Sequence, residues 1–134
     1  DVLTKNRPSQ SQIDQMAFGM MIAMNSKSCS AVLVKNNSVV GLSQSCVSAL
    51  KAIKNVYVDA KEMQDRLGKN NDSLAEVLIS DSPIPFCDDV KNIIDGGVGA
   101  IIQPGGTVYD DEFVQYCNDR DVVMIFIGMS HILR

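Results

Sequence analysis

Beyond residue 77 the chain repeats one local order, strand then helix, and that repetition restricts its folding more than any other feature. Residues 77–80 are a short apolar run, 88–94 carry helical spacing and stop at Gly96-Gly97, and 98–102 form a second apolar run. Residues 109–119 then read as another helix and 122–127 as a further strand. A strand-helix-strand-helix-strand order implies parallel strands joined by right-handed crossovers, because only that hand packs the connecting helix back onto the sheet.

Upstream the pattern differs. Pro8 and Ser9 precede apolar residues Ile13, Met16, Ala17, Met20, Met21 and Met24 at three- and four-residue intervals. That spacing predicts a core helix capped by Ser9. Residues 31–34 and 39–42 flank Lys35-Asn36-Asn37, a hairpin signal because Asn tolerates positive φ. Residues 46–67 suggest one or two helices, closed by Gly68 and the polar run 69–73. The expectation is an α/β protein with a mixed sheet, an antiparallel hairpin leading into a parallel half. At 134 residues, 46% hydrophobic and 21% charged, the chain reads as a single domain over 1–134 with one core.

A net charge of -4 leaves no broad basic surface, which argues against nucleic acid as a partner. Cys29, Cys46, Cys87 and Cys117 stand far apart with no Cys-x-x-Cys pair, and read as reduced, buried thiols of a cytoplasmic protein. No apolar run reaches the ~20 residues of a membrane span, so no membrane is expected as a partner. Neither His-x-Glu nor Pro-Cys-x-x-Cys occurs, so no zinc-bound hydroxide is expected, and His131 is the one histidine, with no nucleophile motif beside it.

Two loops carry the local signals for a site. Gln103-Pro104-Gly105-Gly106-Thr107 follows an apolar run and leads into a helix opened by Asp110-Asp111-Glu112. Gly105 and Gly106 lack Cβ atoms and can aim backbone amides into a crevice at the strands' carboxyl ends, or can simply make a tight turn. The second loop, residues 80–88, is stiffened by Pro83 and Pro85 and ends at Asp88, which can accept from a ligand amine or cap the next helix.

Taken together, Ile79-Ser80-Asp81, Pro85-Phe86, Gly97-Val98, residues 100–107, Asp110-Asp111-Glu112 and residues 126–131 resemble the C-terminal repeat of the AICAR transformylase family. That family writes Ser-Asp-Ala-Phe-Phe-Pro-Phe, then Ile-Gln-Pro-Gly-Gly-Ser, then a closing Met-Arg-His-Phe. Lys5 to Gln12 and Lys27 to Asn37 fit the same alignment more weakly. The resemblance implies a cytidine-deaminase-like, three-layer α/β fold without zinc. It also implies a folate-dependent formyl transfer of purine synthesis (phosphoribosylaminoimidazolecarboxamide formyltransferase), with 10-formyltetrahydrofolate as co-substrate and sites formed between repeats or in a homodimer. The family's catalytic Lys-His pair lies in the preceding repeat, so no catalytic residue is assigned to this chain.

Several family positions are altered. The Asn that holds the nucleotide is Cys29, the Ser-Arg motif is Ser48-Ala49, the loop Phe is Pro83 and the closing Arg is Ser130. A thiol cannot replace an amide that both donates and accepts, and each lost guanidinium removes charge-assisted bonds of about 1.5–3 kcal/mol. On the folate side Asp88 is kept, and Thr107 and Val108 stand where the family has Ser and a small or apolar residue. Those three are retained either for folate or because the turn and helix cap require them. The expected role is a domain that packs or dimerises without catalysis of its own. The alternatives are a half-site subunit of a transformylase and a folate-binding module.

Overall fold

The computed structural model describes residues 1–128. Among these residues nine elements follow one another: α1 (Gln10–Met24), β1 (Ala31–Lys35), β2 (Ser38–Ser43), α2 (Ala49–Leu67), β3 (Ala75–Ser80), α3 (Asp88–Asp95), β4 (Val98–Gln103), α4 (Asp110–Asp119) and β5 (Val123–Phe126). The strands form one sheet in the order β2-β1-β3-β4-β5. β1 is antiparallel to both β2 and β3, whereas β3, β4 and β5 run parallel. The expected mixed sheet is therefore present, with its parallel half built by the two crossovers.

Local chemistry accounts for the boundaries. Asn36 and Asn37 both take positive φ, 52° and 59°, as a two-residue hairpin turn demands. Ser9 caps α1 in a capping box with Gln12, its side chain accepting from Gln12 N at 3.1 Å while Gln12 Oε1 accepts from Ser9 N at 3.0 Å. Residues 46–67 resolve into a lead-in and a single helix, α2, capped by Ser48 and ended by Gly68 at φ 66°.

The sheet separates two apolar layers. On one side Ala52, Ile53, Val56 and Ala60 of α2, Val90 and Ile93 of α3 and Phe113 and Cys117 of α4 pack against Leu33, Leu78 and Ile101. On the other, Met16 and Ala23 of α1 lie against Val32, Val34, Val77, Ile79 and Ile102. Three layers result, helix, sheet and helices.

α1 departs from its expected orientation. Met16 is buried, but Ile13 is 44%, Met21 65% and Met24 41% exposed, and Ala17 is exposed as well. The buried face is formed instead by Gln15, Met16, Gly19 and Ala23. Small residues win there because the helix lies close to the sheet: a Cβ on Gly19 would collide with the Ile79 side chain and stand 3.0 Å from Val34 Cγ2. Met16 and Met20 pack beside that close contact, whereas Ile13, Ala17, Met21 and Met24 turn outward and give α1 a second apolar face. The chain's first residues close one flank of the sheet, with Val2 bridging Ile125 antiparallel and Leu3 N donating to Met124 O at 2.8 Å.

Candidate functional site

The parallel strands β3, β4 and β5 all end on the same rim of the sheet, where β1 begins and β2 finishes. This arrangement gathers the sequence-predicted residues at one end of the molecule, as expected for the carboxyl ends of an open sheet. The links after α1, β2, β3 and β4 all reach it.

The glycine loop leaves β4 through Gln103, a fully buried side chain. Its Oε1 accepts from Ile84 N at 2.7 Å, so β4 holds the neighbouring proline loop in place. Phe86 secures the same loop by stacking on Phe113, ring centroids 5.0 Å apart. Gly105 sits at φ 74°, where a Cβ would come within 2.5–2.8 Å of the Phe126 ring, whereas Gly106 at φ 101° faces open space. Gly105 is thus required by packing and by backbone, and Gly106 by backbone alone.

The amides of this loop are already engaged. Asp110 Oδ2 accepts from Gly106 N at 2.7 Å and from Thr107 N at 3.2 Å, while Oδ1 accepts from the Thr107 hydroxyl at 2.8 Å. Thr107 Oγ1 in turn accepts from Tyr109 N at 3.3 Å. The Asp110 carboxylate, on the first residue of α4, thus reaches back and neutralises the loop amides that point towards it, so those donors are not free for an incoming anion. In the sequence Asp110 stands out only as the first of three acidic residues that open the helix. The spacing Thr107-x-x-Asp110 was the signal for its larger role.

Asp88, Thr107 and Val108, the positions that the resemblance gives to folate, share this rim but differ in freedom. Val108 is 89% exposed and Thr107 is held by Asp110. Asp88 does not cap α3; Cys87 occupies the cap position without a side-chain bond, and Asp88 is the first helical residue, exposed, 3.9 Å from Lys91 Nζ. The capping alternative for Asp88 therefore falls, since a residue already inside the first turn cannot close it from outside.

Cys29, Ala49 and Pro83, the described positions that the resemblance gives to the nucleotide, lie in or beside the links that reach this rim. Cys29 Sγ lies 3.3 Å from Ser82 Oγ, and that hydroxyl donates to Asp81 Oδ1 at 3.0 Å. Asp81 is 1% exposed and also accepts from Ser30 N at 2.9 Å, tying the start of β1 to the end of β3. Its buried role is structural and was not anticipated from the sequence. Ala49 is buried as the first residue of α2, and Pro83 is half-buried beside fully buried Ile84. Ser130 and His131 lie outside the described residues.

Arg120 is held at the far end of α4 from the glycine loop, its Nε donating to Asp95 Oδ1 at 2.8 Å. Arg66 is in the last turn of α2, at the hairpin end, and Arg134 is outside the described residues. The thiols also differ in setting: Cys29, Cys46 and Cys87 are half-buried, whereas Cys117 is fully buried and desolvation pushes its pKa up to about 12. A cavity of about 260 Å³ lies at the hairpin end, lined by Lys35, Val40, Met63, Gln64, Leu67 and Leu74 among others, and includes none of the predicted site residues. Among the described residues no helix is long and apolar enough to cross a membrane.

No protein-family model matches the chain. Whole-sequence comparison is more informative. The chain is 33% identical over 129 residues to the bifunctional purine biosynthesis protein PurH of Clostridioides difficile, a match that covers 96% of this chain and 24% of that protein. It is 32% identical over 130 residues to the PurH protein of Persephonella marina and 30% identical over 130 to that of Aquifex aeolicus, each match covering 97% of this chain. It thus spans about a quarter of the length of these relatives. Nearly end to end, then, this chain is homologous to a quarter-length segment of the bifunctional purine biosynthesis proteins PurH.

Proposed function

We propose that the chain is a domain of an AICAR formyltransferase-like protein of purine biosynthesis that packs against a transformylase repeat or a second copy of itself, without catalysing the transfer alone. The observation that carries this reading is the second apolar face of α1. Ile13, Ala17, Met21 and Met24 recur on one side of the helix and stay exposed, although a helix serving only its own core turns polar residues outward. The three-layer arrangement with a mixed sheet supports a cytidine-deaminase-like fold.

The rim supports the non-catalytic half of the reading. Cys29 stands at the amide position and is engaged with Ser82, and Ala49 offers a buried methyl where the family has a guanidinium. Asp110 already accepts the loop amides of Gly106 and Thr107. Asp88 and Val108 are exposed, as contact with a folate would require, and favour a second reading, a half-site completed by a repeat that carries the Lys-His pair.

Sedimentation velocity, with calorimetric titration of AICAR, tests the first reading. The chain should self-associate or bind a partner repeat, Met21→Glu should weaken that association at least tenfold, and AICAR should give no micromolar binding. A monomer indifferent to both partners, or micromolar AICAR binding by the isolated chain, refutes it. Formyl transfer on mixing with a Lys-His-bearing repeat and 10-formyltetrahydrofolate would establish the second.

A further inference from the structure

Two half-buried cysteines meet across the wall of the same rim. Cys29 lies in the link from α1 to β1, and Cys46 in the link from β2 to α2. Cys29 N donates to Cys46 O at 3.4 Å and Cys46 N donates to Cys29 O at 3.1 Å. The flanking segments are joined too, Ser45 N donating to Lys27 O at 2.8 Å and Lys27 N to Gln44 Oε1 at 2.9 Å. Ser45, at φ 57°, takes up the extra residue between the Ala31–Ser43 pair and the Cys29–Cys46 pair.

Residues that exchange both backbone bonds across antiparallel segments stand ~5.5 Å apart at Cα. That distance lies inside the range of roughly 4.4–6.8 Å over which a disulfide can form. Both thiols are free. Only side-chain hydroxyls, one amide and a carbonyl hold the sulfurs: Cys29 Sγ is 3.3 Å from Ser82 Oγ, and Cys46 Sγ is 3.1 Å from Ser43 Oγ, 3.7 Å from Asn55 Nδ2 and 3.6 Å from Gln44 O. Rotation about the two Cα–Cβ bonds exchanges those weak contacts for a covalent one. Cys117 is buried in the core, and the backbone of Cys87, at the start of α3, bonds along its own helix through Lys91 N.

We infer that Cys29 and Cys46 are a dithiol modification site that closes to an intramolecular disulfide in the presence of a low-molecular-weight disulfide such as oxidised glutathione. The thiolate of one cysteine attacks the small disulfide, forming a mixed disulfide and expelling one glutathione thiolate. The second cysteine's thiolate then attacks the protein-bound sulfur and expels the other. The two cysteines are oxidised by two electrons, the small disulfide is reduced, and the two protons lost by the cysteines end on the two glutathione thiols. The product staples the α1–β1 link to the β2–α2 link.

The test is to expose the reduced 134-residue chain to oxidised glutathione, block remaining thiols with N-ethylmaleimide and map peptides without reductant. A peptide joining Cys29 to Cys46 should appear and be lost on adding dithiothreitol, and the oxidised chain should melt at a higher temperature than the reduced one. Cys87→Ser should leave the link intact. Cys29→Ser and Cys46→Ser should each remove it and leave a glutathione adduct on the surviving partner. The inference is overturned if both cysteines are recovered only as maleimide or glutathione adducts, if the link joins either to Cys87, or if it forms only between chains.

Discussion

Adjacent glycines in one loop answer to different constraints. Gly105 combines positive φ with the Phe126 ring at its back, while Gly106 has the backbone constraint and open space. Gly105→Ala should therefore cost about 2–4 kcal/mol, the sum of a left-handed penalty and overpacking, and Gly106→Ala only about 1 kcal/mol. Urea unfolding of the two variants against the parent measures the difference directly, and equal losses would contradict the role given to Phe126. The doublet was legible in the sequence as a turn that could serve a ligand. Which glycine is held by a ring 21 residues downstream was not, because that contact exists only once β5 lies beside β4.

At the scale of elements, α1 shows where periodicity stops being sufficient. Apolar spacing announced a helix and Ser9 announced its start, and both are present. Which face turns inward was decided by something spacing does not encode, the closeness of the helix to β1 and β3. Gly19→Ala should destabilise by about 1–3 kcal/mol through forced displacement of Ile79 and Val34, seen as a lower midpoint in thermal melts. A Gly19→Ala variant as stable as the parent would mean that the helix can lift away at no cost. The hairpin and the parallel half, by contrast, were readable in order and type, since Asn36-Asn37 and the strand-helix alternation are local signals. Asp81 and Gln103 were not readable as anchors: each bridges segments far apart in sequence, to Ser30 and to Ile84 respectively.

For the molecule as a whole, the core on the α2 side contains a titratable group. Cys117 is fully buried, and desolvation moves its thiol from the ordinary 9.0 to about 12. The folded state therefore holds this proton where the unfolded chain releases it. The corresponding stability is complete below pH 9 and is lost as pH rises towards about 12. Denaturation midpoints between those limits should fall less steeply for Cys117→Ala than for the parent, and parallel profiles would remove the thiol from the account. Below that range Cys117 should resist alkylation in the native protein while Cys29, Cys46 and Cys87 react.

The β5 edge of the sheet is stitched by residues 1–3, with Asp1, Val2 and Leu3 bonded to residues 124–126. Outer strands with unmet amides invite pairing between molecules. With the β5 margin occupied from within, lateral growth from strand to strand has β2 as its remaining docking line among the described residues, and a copy stripped of its first three residues would offer two.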